Sequence, residues 1–175
     1  MGKNYVGLDL STKTGFVRLD EKGNVLEDLE IVSKGEGPEP MAYLIDEVVG
    51  RVKDDDVVTI EGFGFASLRA IQMGGIGWGV RIALWKRGIS FHEAAPSQLK
   101  KFATGKGVGD KAAVAVGVAE RFGFKHKSDN VRDAYVLAQI GRALNGHGEL
   151  IKPQKEVVEA ILNPKPKAKK TRKKA

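Results

Sequence analysis

The chain has 175 residues, with 29 Lys+Arg against 22 Asp+Glu, no cysteine and a formal net charge of +7. That length allows one domain with a real hydrophobic core, and the lack of thiols excludes a disulfide framework and leaves only oxygen or imidazole as metal ligands. No apolar run approaches the roughly 18 residues that span a bilayer, and MGKNYVGLDL carries neither the apolar stretch nor the cleavage site of an export signal, so a cytoplasmic protein without membrane contact is expected.

In chain order, YVGLDLS is a short apolar run, GFVRLD and NVLEDLEIV alternate like strands, and TKTG and DEKGN between them are turn chemistry. Three strands joined by tight turns predict an antiparallel meander. After GPEP, the residues Met41, Leu44, Ile45, Val48, Val49 and Val52 fall at helical spacing over 41–53, and Val57–Ile60 reads as a buried strand. A long apolar helix is predicted over 67–86, and GISFHEA reads as another strand. A loop with Pro96 and a basic, Gly-rich stretch over 100–111 follow. Helices are predicted over 111–122 and 129–144, and an amphipathic piece starts near Pro153. The order βββαβαβαα argues an α/β fold: a five-stranded mixed sheet, three antiparallel strands and then parallel ones, with helices on both faces.

Charge divides the chain. From Pro164 to Ala175 there are seven basic residues and no acid, so the remaining 22 Lys+Arg balance the 22 Asp+Glu. Within the body, 13 acids stand against 4 bases over 20–61, and 7 bases against 2 acids over 100–127. The expectation is a folded domain over 1–150, an amphipathic helix over 151–163 and a disordered basic tail over 164–175 that holds a polyanion without reading its sequence. Lys169, Lys170, Arg172 and Lys173 are its candidate contacts; a purely solubilising tail is the plainer alternative.

Asp9 lies within an apolar strand and Glu61 directly follows another, each an acid where an apolar side chain would be the default. A buried carboxylate needs a cation or several donors nearby. If the two strands are neighbours, the carboxylates converge at the carboxyl ends of the strands, where open α/β sheets place their sites. Asp129 and Asp133, four apart at a helix start, lie on one helical face and could complete a set of hard oxygen ligands for a divalent cation. Singly, Asp9 could cap a turn, Glu61 could pair with a lysine and Asp129 could complement the helix dipole.

Four segments together resemble a known family: GLDLSTKTGFV, VTIEGFGF, APSQLKKFATGKGVGDKAAV and SDNVRDAYVLA. The family is the RuvC-like Holliday junction resolvases of the ribonuclease H-like superfamily, and the similarity is greatest to their phage-type branch. The third segment is the most specific, because Lys100 and Lys111 reproduce the interval between the family's two functional lysines. The resemblance implies a magnesium-dependent endodeoxyribonuclease that resolves four-way junctions by paired nicks and acts as a homodimer in a bacterial cell or phage-infected host. Two Mg2+ ions per site, replaceable by Mn2+, would activate water and stabilise the leaving 3′ oxygen. Asp9 would bridge the metals, with Glu61 a ligand of one and Asp133 of the other. Many resolvases carry Asp-x-x-Asp here, whereas this chain has Asn130 three residues before Asp133 and Asp129 four before. Asp129 is favoured as the fourth ligand because an anionic oxygen binds a hard cation better than an amide does. Lys111 and Lys100 either neutralise charge on the reacting phosphate or contact phosphate without a catalytic role.

Phe63 and Phe65 follow Glu61 at once and are candidates to stack on an unpaired base, although at least one is expected to pack inward. Lys101 and Lys106 are further DNA-contact candidates. MGGIGWGV looks like a phosphate loop but lacks the lysine that would follow, and its glycines suit close helix approach in a dimer. None of His92, His126 or His147 has metal-ligand spacing, and no nucleotide cofactor is expected. Two other readings remain: a branched-DNA-binding protein without activity, and an actin-like ATPase fragment, which the chain's length disfavours.

Overall fold

The structure is a computed structural model that describes residues 2–63 and 70–164. Its strands are β1 (Tyr5–Asp9), β2 (Lys13–Leu19), β3 (Val25–Val32), β4 (Val57–Glu61) and β5 (Phe91–Ala94), in sheet order β3-β2-β1-β4-β5. β1, β2 and β3 pair antiparallel, and β1, β4 and β5 pair parallel, so the mixed sheet has the predicted form. The helices are α1 (Pro38–Arg51), α2 (Ala70–Lys86), α3 (Pro96–Thr104), α4 (Lys111–Phe122), α5 (Asp129–Leu144) and α6 (Lys152–Leu162).

Every residue of β1 is buried, because helices cover both faces of the sheet. On one face Val6, Leu8, Phe16, Val58 and Ile60 pack with Leu44 and Val48 of α1 and with Ile76, Val80 and Leu84 of α2. On the other, Val17 and Leu19 pack with α5 and with Leu99, Phe102, Val114, Val118 and Val157 from α3, α4 and α6. The period-2 alternation of β1 and β2 thus feeds two cores at once. Among the described residues no helix is long and apolar enough to cross a membrane.

Two glycines seat α5 on the sheet. A Cβ at Gly7 would lie 1.9 Å from the carbonyl oxygen of Ala134, and one at Gly15 would lie 2.0 Å from that of Asn130. Both clashes are with helix backbone, which cannot swing aside as a side chain can. Gly15 is also the cross-strand partner of Asp9, so its bare backbone sets how closely the first turn of α5 approaches that carboxylate.

One expected loop is a helix. Residues 96–104 form α3, with Pro96 in its first turn, where a missing N–H costs nothing, and with Gln98 Oε1 accepting from the backbone N–H of Ala95 at 2.7 Å. It ends at Gly105, whose φ of 86° places it in the left-handed region. The acid-rich stretch runs through β3, α1 and β4, whereas the basic stretch forms α3 and α4, which pack with α5 on the face of the sheet opposite to α1.

Candidate active site

β1 and β4 run parallel in a register that sets Leu8 beside Ile60, so the next residues, Asp9 and Glu61, stand side by side at the carboxyl ends of two central strands. Their carboxyl groups lie close enough that each influences the ionisation of the other. α5 crosses the sheet above them and brings Asp133 close enough for like-charge repulsion with both.

The start of α5 has a division of labour that its acids alone do not reveal. Ser128 is the N-cap, its hydroxyl accepting from Val131 N–H at 3.3 Å. The same hydroxyl donates to Glu30 Oε1 of β3 at 2.5 Å, and Asn130 Nδ2 donates to that oxygen at 3.1 Å. Asn130 therefore fastens α5 to the sheet. Asp129, in the first turn, is paired with the ammonium of Lys111 at the start of α4. That pairing lowers the Asp129 pKa and raises that of Lys111.

Two clefts meet at Glu61. One, of about 330 Å³, is lined by Asp9, Phe63, Met73, Gly74, Trp78 and Arg81 among others. The second, of about 290 Å³, is lined by Lys100, Lys111, Asp129, Arg132 and Asp133 among others. Lys100 and Lys111 thus share a wall with three of the acids. Lys101 lines neither cleft and sits 2.7 Å from Glu156 of α6, while Lys106 is exposed in the loop after α3. Phe63 is half-buried, its ring packed on α2 with its centroid 5.7 Å from that of Trp78 while still lining the first cleft. Phe65 and the tail residues Lys169, Lys170, Arg172 and Lys173 lie outside the described residues.

Burial raises the pKa of all three central acids. For Asp9 the effect of burial is reinforced by Glu61 and then Asp133. For Glu61 burial works against the Asp9 hydrogen bond and Lys100, and the net shift is still upward. Asp133 is pushed up to about 7, first by burial and then by Glu61 and Asp129. Among the described residues no three His, Cys, Asp or Glu side chains close tightly around one point. The donor set nevertheless fits a hard divalent cation: it is all oxygen, carboxylate and shielded, and the mutual repulsion of Asp9, Glu61 and Asp133 is what a cation among them would relieve.

A pH dependence of stability follows. A carboxyl whose folded pKa exceeds its unfolded value favours the folded state fully below the unfolded value, and that support is lost as pH rises through the folded one. For Asp133 the window runs from about 4 to about 7. Asp133→Asn is expected to melt like the parent protein at pH 4 in EDTA and roughly 5 °C above it at pH 8, with Mg2+ closing the gap by stabilising the parent. Melting curves whose difference is constant across this range would refute the assignment.

Comparison with known proteins adds to this geometry. A family model described as Crossover junction endodeoxyribonuclease RuvC matches residues 7–141. The chain belongs to the RuvC family. The matched stretch spans every acid of the cluster, from Asp9 to Asp133. RuvC enzymes are metal-dependent endodeoxyribonucleases that resolve Holliday junctions, and this chain has that activity by membership. Two RuvC structures from Thermus thermophilus share its fold. One, in complex with a Holliday junction substrate, has a TM-score of 0.63 at 23% identity, over 78% of this chain and 90% of that one. The other has a TM-score of 0.64 at 19% identity, over 85% of this chain and 99% of that one. No curated protein matches. Within the matched stretch, Asn130 is engaged by β3 and Asp129 by Lys111.

Proposed function

We propose that this RuvC-family enzyme resolves four-way junctions by paired nicks from a two-fold dimer, with Asp9, Glu61 and Asp133 as metal ligands and Asp129 as the fourth. The single observation that carries this reading is the juxtaposition of Asp9 and Glu61 at adjacent parallel strand ends beneath Asp133. Divalent cations bound there, two Mg2+ or Mn2+ per site, supply Lewis acidity toward water and phosphate oxygens.

The chain's own residues position the phosphate. Lys100 and Lys111 line the second cleft beside the acids, where an ammonium can neutralise charge as it builds on the reacting phosphorus. Arrival of a phosphate offers Lys111 a second anion and so loosens its hold on Asp129. Phe63 offers an aromatic surface in the first cleft to an unpaired base, and Phe65 is the second candidate for that role. Lys106 and the basic residues after Pro164 add contacts to the DNA backbone, which carry no sequence information.

The dimer reading is supported by α2. That helix is apolar on its buried face, with Ile76, Val80 and Leu84, and on its outer face, where Ile71, Trp78, Ile82 and Trp85 are 94%, 59%, 48% and 75% exposed. A helix apolar all round needs cover on both sides, and a second copy of α2 related by a two-fold axis provides it. Trp85→Glu removes about 2 kcal/mol per copy, about 4 kcal/mol for the pair, and is expected to weaken the dimer roughly thousandfold. Sedimentation should show monomer where the parent is dimeric, and nicks across the junction should become uncoupled. An unchanged sedimentation profile would place the interface elsewhere.

The reading as a whole is tested by incubating the protein with labelled four-way junction and with linear duplex, in Mg2+ and in EDTA. Mg2+-dependent paired nicks confined to the junction are expected. Binding without cutting would instead favour a non-catalytic branched-DNA protein.

A further inference from the structure

We infer that Arg81 is a positioning residue for junction cutting, one that holds the strand end bearing Glu61 and the ring of Phe63 in a fixed mutual relation. The inference rests on the reading of Glu61 as a metal ligand. Arg81 lies in the middle of α2 and is only 3% exposed. Its guanidinium is engaged on every side. Nε donates to Glu93 Oε1 at 2.5 Å, Nη1 to the Gly77 carbonyl at 3.0 Å and Nη2 to the Glu61 carbonyl at 3.1 Å. Its Cζ lies 4.3 Å from the centroid of the Phe63 ring, within cation–π range.

Stability alone is a poor reason for this arrangement. A buried guanidinium loses its hydration, and its one carboxylate partner, Glu93, has a side chain that is 49% exposed; an apolar residue of similar volume would pack there at no greater cost. What the arginine adds is direction, because its planar fork fixes several acceptors at set angles in a way that no other side chain does. Glu61 needs such a fixture. The β1 register ends at Leu8 beside Ile60, and the β5 register ends at Glu61 beside Ala94, so Glu61 is the last residue that the sheet holds. Beyond it Gly62 N–H donates to Ala94 O at 2.8 Å, and the chain then leaves the sheet at Phe63.

Phe63 is pinned by the same helix. A Cβ at Gly77 would lie 2.5 Å from its ring, so the ring occupies the space that the missing side chain leaves, with Arg81 against its face. Phe63 and Glu61, two residues apart, therefore share one anchor. Force on the Phe63 ring from an incoming base bears on the group that holds the Glu61 backbone.

Arg81→Lys keeps a cation for Glu93 and removes the fork. Mn2+ binding to the DNA-free protein, followed by isothermal titration, is expected to weaken about tenfold. Single-turnover junction cutting should slow by a similar factor and recover at higher metal concentration. A merely structural role would lower melting temperature, junction binding and cutting together, and would leave Mn2+ affinity per folded molecule unchanged; that result overturns the inference. If Arg81→Lys does not fold, Glu93→Gln frees the outer end of the fork. It is expected to shift Mn2+ affinity in the same direction by a smaller factor, and no shift would overturn the inference. Glu61→Gln run alongside separates the two levels: retained cutting and Mn2+ affinity would sink the ligand reading itself. Loss of both in Glu61→Gln, with Arg81→Lys behaving as the parent, would sink only the role of Arg81.

Discussion

Asp9→Asn is expected to reduce junction cutting by about a thousandfold or more while leaving junction binding intact and raising the melting temperature in EDTA. The two effects have opposite signs for one reason. Asp9 is a buried acid whose pKa is raised by the loss of hydration and by Glu61 and Asp133, so its charged form is unfavourable in the folded, metal-free protein. Its support for the fold is present below the ordinary aspartate value and lost as pH rises. Asparagine is nearly isosteric and uncharged, so it removes the repulsion at neutral pH. It also removes the anionic oxygen on which cation binding depends. Nicking assays, a binding titration in EDTA and thermal melts on one preparation would check all three outcomes. A folded Asp9→Asn protein that fails to bind junctions would show that this carboxylate does more than hold metal.

Gly15→Ala is expected to cost about 3 kcal/mol, or roughly 10 °C in melting temperature, and to slow cutting about a hundredfold in the fraction that remains folded. The added methyl group would fall 2.0 Å from the Asn130 carbonyl oxygen, so α5 must lift from the sheet at its first turn. That turn carries Asp129, and Asp133 follows one turn later, so a displacement there separates them from Asp9, the cross-strand partner of Gly15. Thermal melts and single-turnover rates should move together. An alanine variant that melts and cuts like the parent would mean that α5 approaches the sheet less closely than the structure shows.

Much of this arrangement is legible before folding is considered. A lone acid in YVGLD and another after VVTI mark two strand ends, and the helical crossover from β3 to β4, after two antiparallel turns, returns the chain parallel to β1. What stays hidden depends on contacts between distant segments. α3 is missed because Pro96 and the glycines after Gly105 read as loop punctuation, although a proline in a first turn begins a helix as readily as it breaks one. Asn130 looks like a misplaced ligand until β3 brings Glu30 beneath it. Arg81 gives only a faint signal, a single charge within an apolar helix, because its partners come from β4, β5 and the turn after β4. Lys101 and Lys100 are adjacent in sequence, yet only Lys100 lines a cleft with the acids.

The acid-rich stretch includes α1, which packs on the face of the sheet opposite to that of α3 and α4, the helices of the basic stretch, so the body of the protein is electrically two-sided despite its near-zero net charge. A duplex approaching from the α1 side meets repulsion, and one approaching from the α3–α4 side meets attraction, so the field turns the molecule before contact is made. The effect belongs to the encounter rather than to the bound complex. Added salt should therefore act on the rate of productive arrival at a junction by scrambling orientation as well as by weakening grip.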